Sequence, residues 1–260
     1  MERLVHMEKQ IPSFIGIDPT AGRQPFTFAA LDQERHLLAL SAGDVDELFA
    51  FMNEHPAAVV AVNAPPRPNH GLVRKSLEKQ HLALGQLRGS DLRLAENDLR
   101  ERGIHVSPTP ARVELCPTWM QMSFDLYRRL EENGYSQYPA EQAAHQWVET
   151  HPHAAFCTLL ERVPLPKPTL EGRLQRQLAL YERGLGIKDP MGFFEEITRH
   201  KLLQGFFPME IVYAPEELDA LMAAYMAWCV INCSQETILI GDAEEGRIAL
   251  PVASLKEKYS

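Results

Sequence analysis

Four polar residues stand where structural elements end and could serve a cation: Asp18, Asn63, Glu149 and Asp219. Hydrolysing a phosphodiester near neutral pH requires an activated water and neutralisation of charge on the attacking and leaving oxygens. Divalent ions such as Mg²⁺ or Mn²⁺ do both, and they prefer oxygen ligands, carboxylates above all. The acids must arrive from different rigid elements, so that they converge rather than pair with bases beside them in the chain. Each also has a plainer role open to it. Asp18 before Pro19 suits a turn, and Asp219 near a helix start complements the helix dipole.

The elements that would position these residues can be read in order. Ser13 to Asp18 (SFIGID) holds the strand formers Phe14, Ile15 and Ile17, and Gly16 would let another element approach the backbone. Pro25 to Leu31 reads as a second strand and His36 to Leu40 as a third, joined by a short hairpin turn. A helix follows from Val45, with Asp44 as N-cap and Pro56 as its stop. Ala57 to Val62 (AAVVAV) is the apolar run of a buried parallel strand, and it ends at Asn63. Three antiparallel strands and a crossover to a parallel neighbour of the first would set Asp18 beside Asn63. Trp147 to Glu149 is expected as the final core strand. Pro215 to Cys233 is a helix apolar on every side beyond its acidic first turn, and hence buried.

Between these lie further expected pieces. Arg67 to Ser90 is read as loop, Asp91 to Arg102 as helix, Ile104 to Val106 as a short strand and Thr118 to Asn133 as helix. Ala154 to Leu160, Thr169 to Arg183 and Gly192 to Leu203 read as helices, and Thr237 to Ile240 and Arg247 to Leu250 as short strands. The fold class is therefore α/β with a largely helical C-terminal half.

At 260 residues and 45% hydrophobic, the chain has ample material for one core, and no apolar run is long enough to span a bilayer. The charged start MERLVHMEKQ leads to an expectation of cytoplasmic residence without membrane contact. A net charge of −9 opposes non-specific coating of nucleic acid. Ala64 to Arg93 nonetheless carries six basic residues against Glu78 and Asp91, a local +4 that leaves −13 elsewhere. The expectation is a single domain over residues 1–260 with a basic, loop-rich insertion at about 64–93. Arg67, Arg74, Lys75 and Lys79 are candidate phosphate contacts, with a solvated face as the plain alternative. Lys167, Arg173 and Arg176 raise the same choice beside Glu171, and Arg93 with Glu96 makes a local helical ion pair. His145, His151 and His153 could form a metal-binding face, although Pro152 interrupts their spacing. Cys116, Cys157, Cys229 and Cys233 form no C-x-x-C pair, and Cys229 and Cys233 read as buried thiols on one helix. No Walker loop or nucleophile elbow is found.

Taken together, these motifs resemble domain-of-unknown-function family 429, a set of predicted RNase H-like nucleases. The likeness runs from about Phe14 to Pro251 through Gly16-Ile17-Asp18, Asn63-Ala64-Pro65, Arg93 to Glu96, Thr109-Pro110, Glu149 to Ala154, the run Lys167, Thr169, Gly172 and Arg173, and Asp219 to Ala227. The resemblance implies an RNase H-like mixed five-stranded sheet with flanking helices and an acidic metal centre. It casts Asp18, Glu149 and Asp219 as catalytic metal ligands for Mg²⁺ or Mn²⁺, with Asn63 completing the shell. Asn63 stands where the family usually shows an acid, which removes one charge from that shell. Lys167, Arg173, Arg67 and Arg93 would bind substrate, and nucleic acid would be the partner. The rival expectations are a nucleotide-binding protein of the actin and sugar-kinase type, with the Asp18 to Gly22 turn on phosphate, and a non-catalytic interaction protein retaining the fold.

Overall fold

Alternation along the first strand sets the layering of the whole molecule. In the computed structural model, which describes residues 12–19, 26–79, 91–141 and 143–260, β1 (Ser13–Asp18) sends Phe14 into one core and Ile15 and Ile17 into the other. β2 (Phe26–Leu31) and β3 (Leu37–Gly43) follow as an antiparallel meander. Asp44 then caps α1 (Val45–Asn53), its carboxylate accepting from the backbone of Asp46 and Glu47. β4 (Ala58–Val62) returns parallel to β1, buried throughout as its apolar run requires.

The chain continues through α2 (Leu72–Lys79), α3 (Leu94–Glu101), α4 (Thr118–Glu132), β5 (Ser136–Gln137) and β6 (His145–Thr150). Then come α5 (Pro152–Leu160), α6 (Leu170–Tyr181), α7 (Gly192–Glu196), α8 (Arg199–Leu203), α9 (Pro215–Asn232), β7 (Ile238–Asp242) and β8 (Gly246–Leu250). The sheet runs β3-β2-β1-β4-β6-β8-β7, with the short β5 also paired to β6. Apolar residues of α3, α5 and α9 join the core on one face, and those of α1 and α4 the core on the other.

The expected sheet had five strands; the observed one has eight among the described residues. β6 is not the last core strand, because β8 pairs parallel to it and β7 pairs antiparallel to β8. The β6–β8 register covers only Glu149↔Ile248 and Thr150↔Ala249, too little to announce itself in sequence. Ile104 and Val106 are buried in the core without forming a strand. Part of the stretch read as loop is the helix α2. The helix expected over Gly192 to Leu203 is two short helices, divided where Thr198 caps the second. No described helix is long and apolar enough to cross a membrane.

α9 lies directly on the sheet. A Cβ placed on Gly16 would come within 2.1 Å of both Ala220 O and Ala224 N, so only glycine permits this approach. The stripe of alanines on α9 and the single glycine on β1 are two halves of one contact.

Candidate functional site

Because β1, β4, β6 and β8 are mutually parallel, their C-terminal ends share one edge, where open α/β sheets bind ligands. α9 reaches this edge with its first turn. Gly16 contacts the backbone of Ala220 to Ala224, and Asp18 lies two residues further along the same strand face. Asp219 stands at the end of α9 nearest that edge, and both acids line one cavity of about 620 Å³.

Asp18 and Asp219 are each only 6% exposed. Asn63 follows β4, its backbone N–H donating to Ile17 O at 2.8 Å. Its side-chain amide donates to Asp18 Oδ1, also at 2.8 Å. Lys167 Nζ donates to Asp219 Oδ2 and forms an ion pair with it. Burial first, and then the charge of Asp219, pushes the Asp18 carboxyl up to about 7, against the opposing pull of Lys167 and the Asn63 hydrogen bond. Burial likewise raises Asp219, which Lys167 counteracts. Burial alone would lower the Lys167 ammonium, but Asp219 raises it overall. Both buried carboxylates thus feel the Lys167 ammonium, which is 38% exposed, and Asp219 also feels the guanidinium of Arg176.

Glu149 takes a different partner. Register aligns Ile17 with Val62 and Val62 with Glu149, so Thr150 is level with Asn63 and Asp18. Glu149 still lines the cavity, but both of its oxygens accept from Arg93, Oε2 from Nη1 at 2.9 Å and Oε1 from Nη2 at 2.5 Å. Arg93 also donates through Nε to Glu96 at 2.7 Å and through Nη1 to Glu245 O at 2.9 Å. Glu96 accepts in turn from the hydroxyl and backbone N–H of Thr109. Burial would lower the pKa of Arg93, yet Glu149 and Glu96 raise it overall, so it stays charged. The local Arg93–Glu96 pair expected from the sequence is one arm of this buried network.

The remaining candidates divide. His151 and His153 line the cavity, whereas His145 opens β6 and packs against Tyr135. His151 Nδ1 accepts from Ala154 N and so caps α5, and burial pushes its pKa down to about 3. Burial also pushes His153 down to about 4, so both rings are neutral at pH 7. Arg173 donates to Tyr213 O and Val212 O, and Arg176 to Leu165 O and Gly172 O. These contacts bind α6 to its neighbours, and of the two only Arg176 also lines the cavity, where its charge is felt by Asp219. Arg67 is half-buried, and its charge is felt by Tyr127 and Glu149. Arg74 pairs with Glu78 and Lys75 is exposed. The Lys79 side chain and the turn residues Thr20, Ala21 and Gly22 lie outside the described residues. All four cysteines are free; Cys229 is buried as expected, whereas Cys233 is half-buried because it caps the end of α9 rather than lying within it.

Residues that the motifs did not mark also build the site. Glu216 and Trp119 line the cavity. Glu245 is fully buried and accepts from the backbone N–H groups of His70, Leu72 and Leu94, fastening α2 and α3 beside the site. Acids at helix starts suggest such capping, but a partner some 150 to 175 residues away leaves no local signature. Among the described residues, the one trio of possible ligand atoms within 4.8 Å of one another is Asp32, Glu34 and His36, at the exposed β2–β3 hairpin.

A family model described as "Protein of unknown function (DUF429)" matches residues 16–245. No curated protein and no solved structure matches the chain.

Proposed function

From a chain that belongs to the DUF429 family, with two buried acids at one sheet edge, we propose a metal-dependent nuclease hydrolysing phosphodiester bonds. The carrying observation is the convergence of Asp18 and Asp219 on a cavity where Lys167 pairs with Asp219 and the buried Arg176 adds a second positive charge. A strand end and a helix end hold them rigidly, and carboxylate oxygens on one cavity suit Mg²⁺ or Mn²⁺. Asp18 and Asp219 would hold the ion and Asn63 would orient Asp18. A bound ion would supply charge neutralisation and an acidified water there. Lys167, the one partly exposed cation on Asp219, would swing its ammonium so that it donates a hydrogen bond to a substrate phosphoryl oxygen instead. Glu149, engaged by Arg93, would anchor the wall beside the ion rather than ligate it.

The sheet supports the RNase H-like part of this reading. Within its eight strands runs the order β3-β2-β1-β4-β6, with β2 antiparallel and β4 and β6 parallel to β1. An RNase H-like sheet has that arrangement, with β7, β8 and β5 as additions. Isothermal titration with Mn²⁺ tests the proposal: binding should weaken at least tenfold in Asp18→Asn and Asp219→Asn, and hydrolysis of a phosphodiester should disappear in both. Equal Mn²⁺ binding in all three proteins would sink it. ATP binding without phosphodiester hydrolysis would favour the kinase-like alternative.

A further inference from the structure

The acids form only the floor of the cavity, and much of its wall is apolar. We propose that it takes a base-bearing phosphoester of one or two nucleotides, with the base stacked on Trp119, rather than a long strand. This deepens the metal-dependent reading and rests on it. Trp119 is the second residue of α4 and is half-buried. It packs against the core beneath α1 and α4 and also lines the cavity. A flat indole held from behind is a stacking platform for any base. Pro65, Val163, Pro164 and Leu165 continue the apolar wall. A volume of about 620 Å³ falls within the range of sites that enclose small molecules, ~300–1,000 Å³.

A long strand asks for something else: a basic groove following successive phosphates and a series of aromatic platforms. Trp119 is the single Trp, Tyr or Phe among the described residues lining the cavity. Arg93 and Arg173, two of the groups expected on phosphate, are spent on the protein's own carboxylates and carbonyls. The net charge of −9 repels a polyanion further.

Titration calorimetry in Mn²⁺ with adenosine 5′-monophosphate, ribose 5-phosphate and a long phosphorothioate oligothymidylate decides the matter. The nucleotide should bind about tenfold or more tightly than the sugar phosphate. Trp119→Leu, which keeps apolar bulk but no flat face, should lose that advantage, and Trp119→Phe should keep most of it. Comparable melting temperatures for the variants exclude a folding defect. Equal affinity for nucleotide and sugar phosphate, or an unchanged Trp119→Leu protein, would overturn the inference. So would an oligonucleotide that binds more than tenfold tighter than the nucleotide. The two failures separate: Mn²⁺ binding that ignores Asp18 ends the metal reading, whereas Asp18-dependent Mn²⁺ binding with no preference for a base ends this inference alone.

Discussion

The side-chain amide of Asn63 donates a 2.8 Å hydrogen bond to Asp18, so this neutral residue supports the ionised form of its neighbour. Replacing it by Asp exchanges a donor for a second carboxylate. Without metal, Asn63→Asp should be less stable, since like charges at about 4 Å repel by roughly 1 to 4 kcal/mol between water and a partly buried setting. With saturating Mn²⁺ the added charge should tighten binding and reverse much of that loss. Melts with and without Mn²⁺ read both signs, at roughly 2 to 4 °C per kcal/mol for a chain of this size. A metal-dependent shift equal to that of the wild type would remove Asn63 from the ion's surroundings.

Asp18 should make stability depend on pH in a recognisable way. Its carboxyl is raised from 3.8 to about 7 in the folded protein, so between those values the native state holds a proton that the unfolded chain has released. Stability from this group therefore falls as pH rises through that window. Asp18→Asn should be more stable than wild type at pH 8 by on the order of 2 to 4 kcal/mol, and the gap should close towards pH 4. His151 and His153, held down at about 3 and 4, have the opposite effect: stability is lost as pH falls below their unfolded value. They are present in both proteins and cancel in the comparison. Urea unfolding at several pH values checks this, and a gap independent of pH would contradict it.

Arg93 holds Glu149 and Glu96 in a setting with almost no solvent. Arg93→Met should destabilise by about 3 to 5 kcal/mol, because it leaves buried carboxylates unpaired. The Arg93→Met, Glu149→Gln double variant should recover part of the loss, since one of those charges is then gone. Chemical denaturation of the single and double variants measures the recovery. Strictly additive losses would show that the pair is not coupled.

The first four strands, α1 and α9 were legible because each follows from one local rule: alternation, an N-cap, an all-apolar run. Gly16 was legible too. Glu149 was harder, since sequence shows an acid at a strand end but not the register, and a shift of one residue places it level with Ile17 rather than Asp18. Its partner Arg93 is 56 residues away, and Lys167 is 52 residues from Asp219. Such pairs arise from the packing of α3, α6 and α9 around the sheet edge. Patterns of 2.0 and 3.6 residues cannot encode them. β8 was legible as a short strand at Arg247 to Leu250, but its place beside β6 was hidden for a similar reason, since the pairing follows a long helical stretch.

Gly16→Ala tests whether the α9 contact positions the acids. The new Cβ would meet the α9 backbone at Ala220, Ala223 and Ala224, so α9 has to shift. A loss of about 3 kcal/mol or more is expected, at the upper end for a single methyl group in a packed core. Mn²⁺ affinity should fall along with stability, even though residue 16 offers no ligand atom. Wild-type Mn²⁺ binding in a folded Gly16→Ala protein would show that the two acids keep their spacing without this contact.

Lys167 provides the sharpest separation between stability and function. Its ammonium pairs with buried Asp219 and its charge also reaches Asp18, so in the metal-free protein it occupies the electrostatic place of a cation. Lys167→Met leaves two neighbouring acids without it. Because the side chain is 38% exposed, solvent screening reduces the loss to about 1 to 2 kcal/mol, and Asp18 can take up a proton to limit it further. Mn²⁺ no longer has to displace an ammonium, so it should bind about tenfold more tightly, worth roughly 1.4 kcal/mol. The melting temperature should accordingly fall without Mn²⁺ and rise more steeply than wild type as Mn²⁺ is added. Turnover of a phosphodiester should nevertheless drop by about a hundredfold or more, in the range for losing one charged donor to a developing oxyanion. Tighter metal and slower chemistry in the same variant would place Lys167 on the substrate. Unchanged Mn²⁺ affinity with unchanged turnover would reduce it to a surface brace for α9.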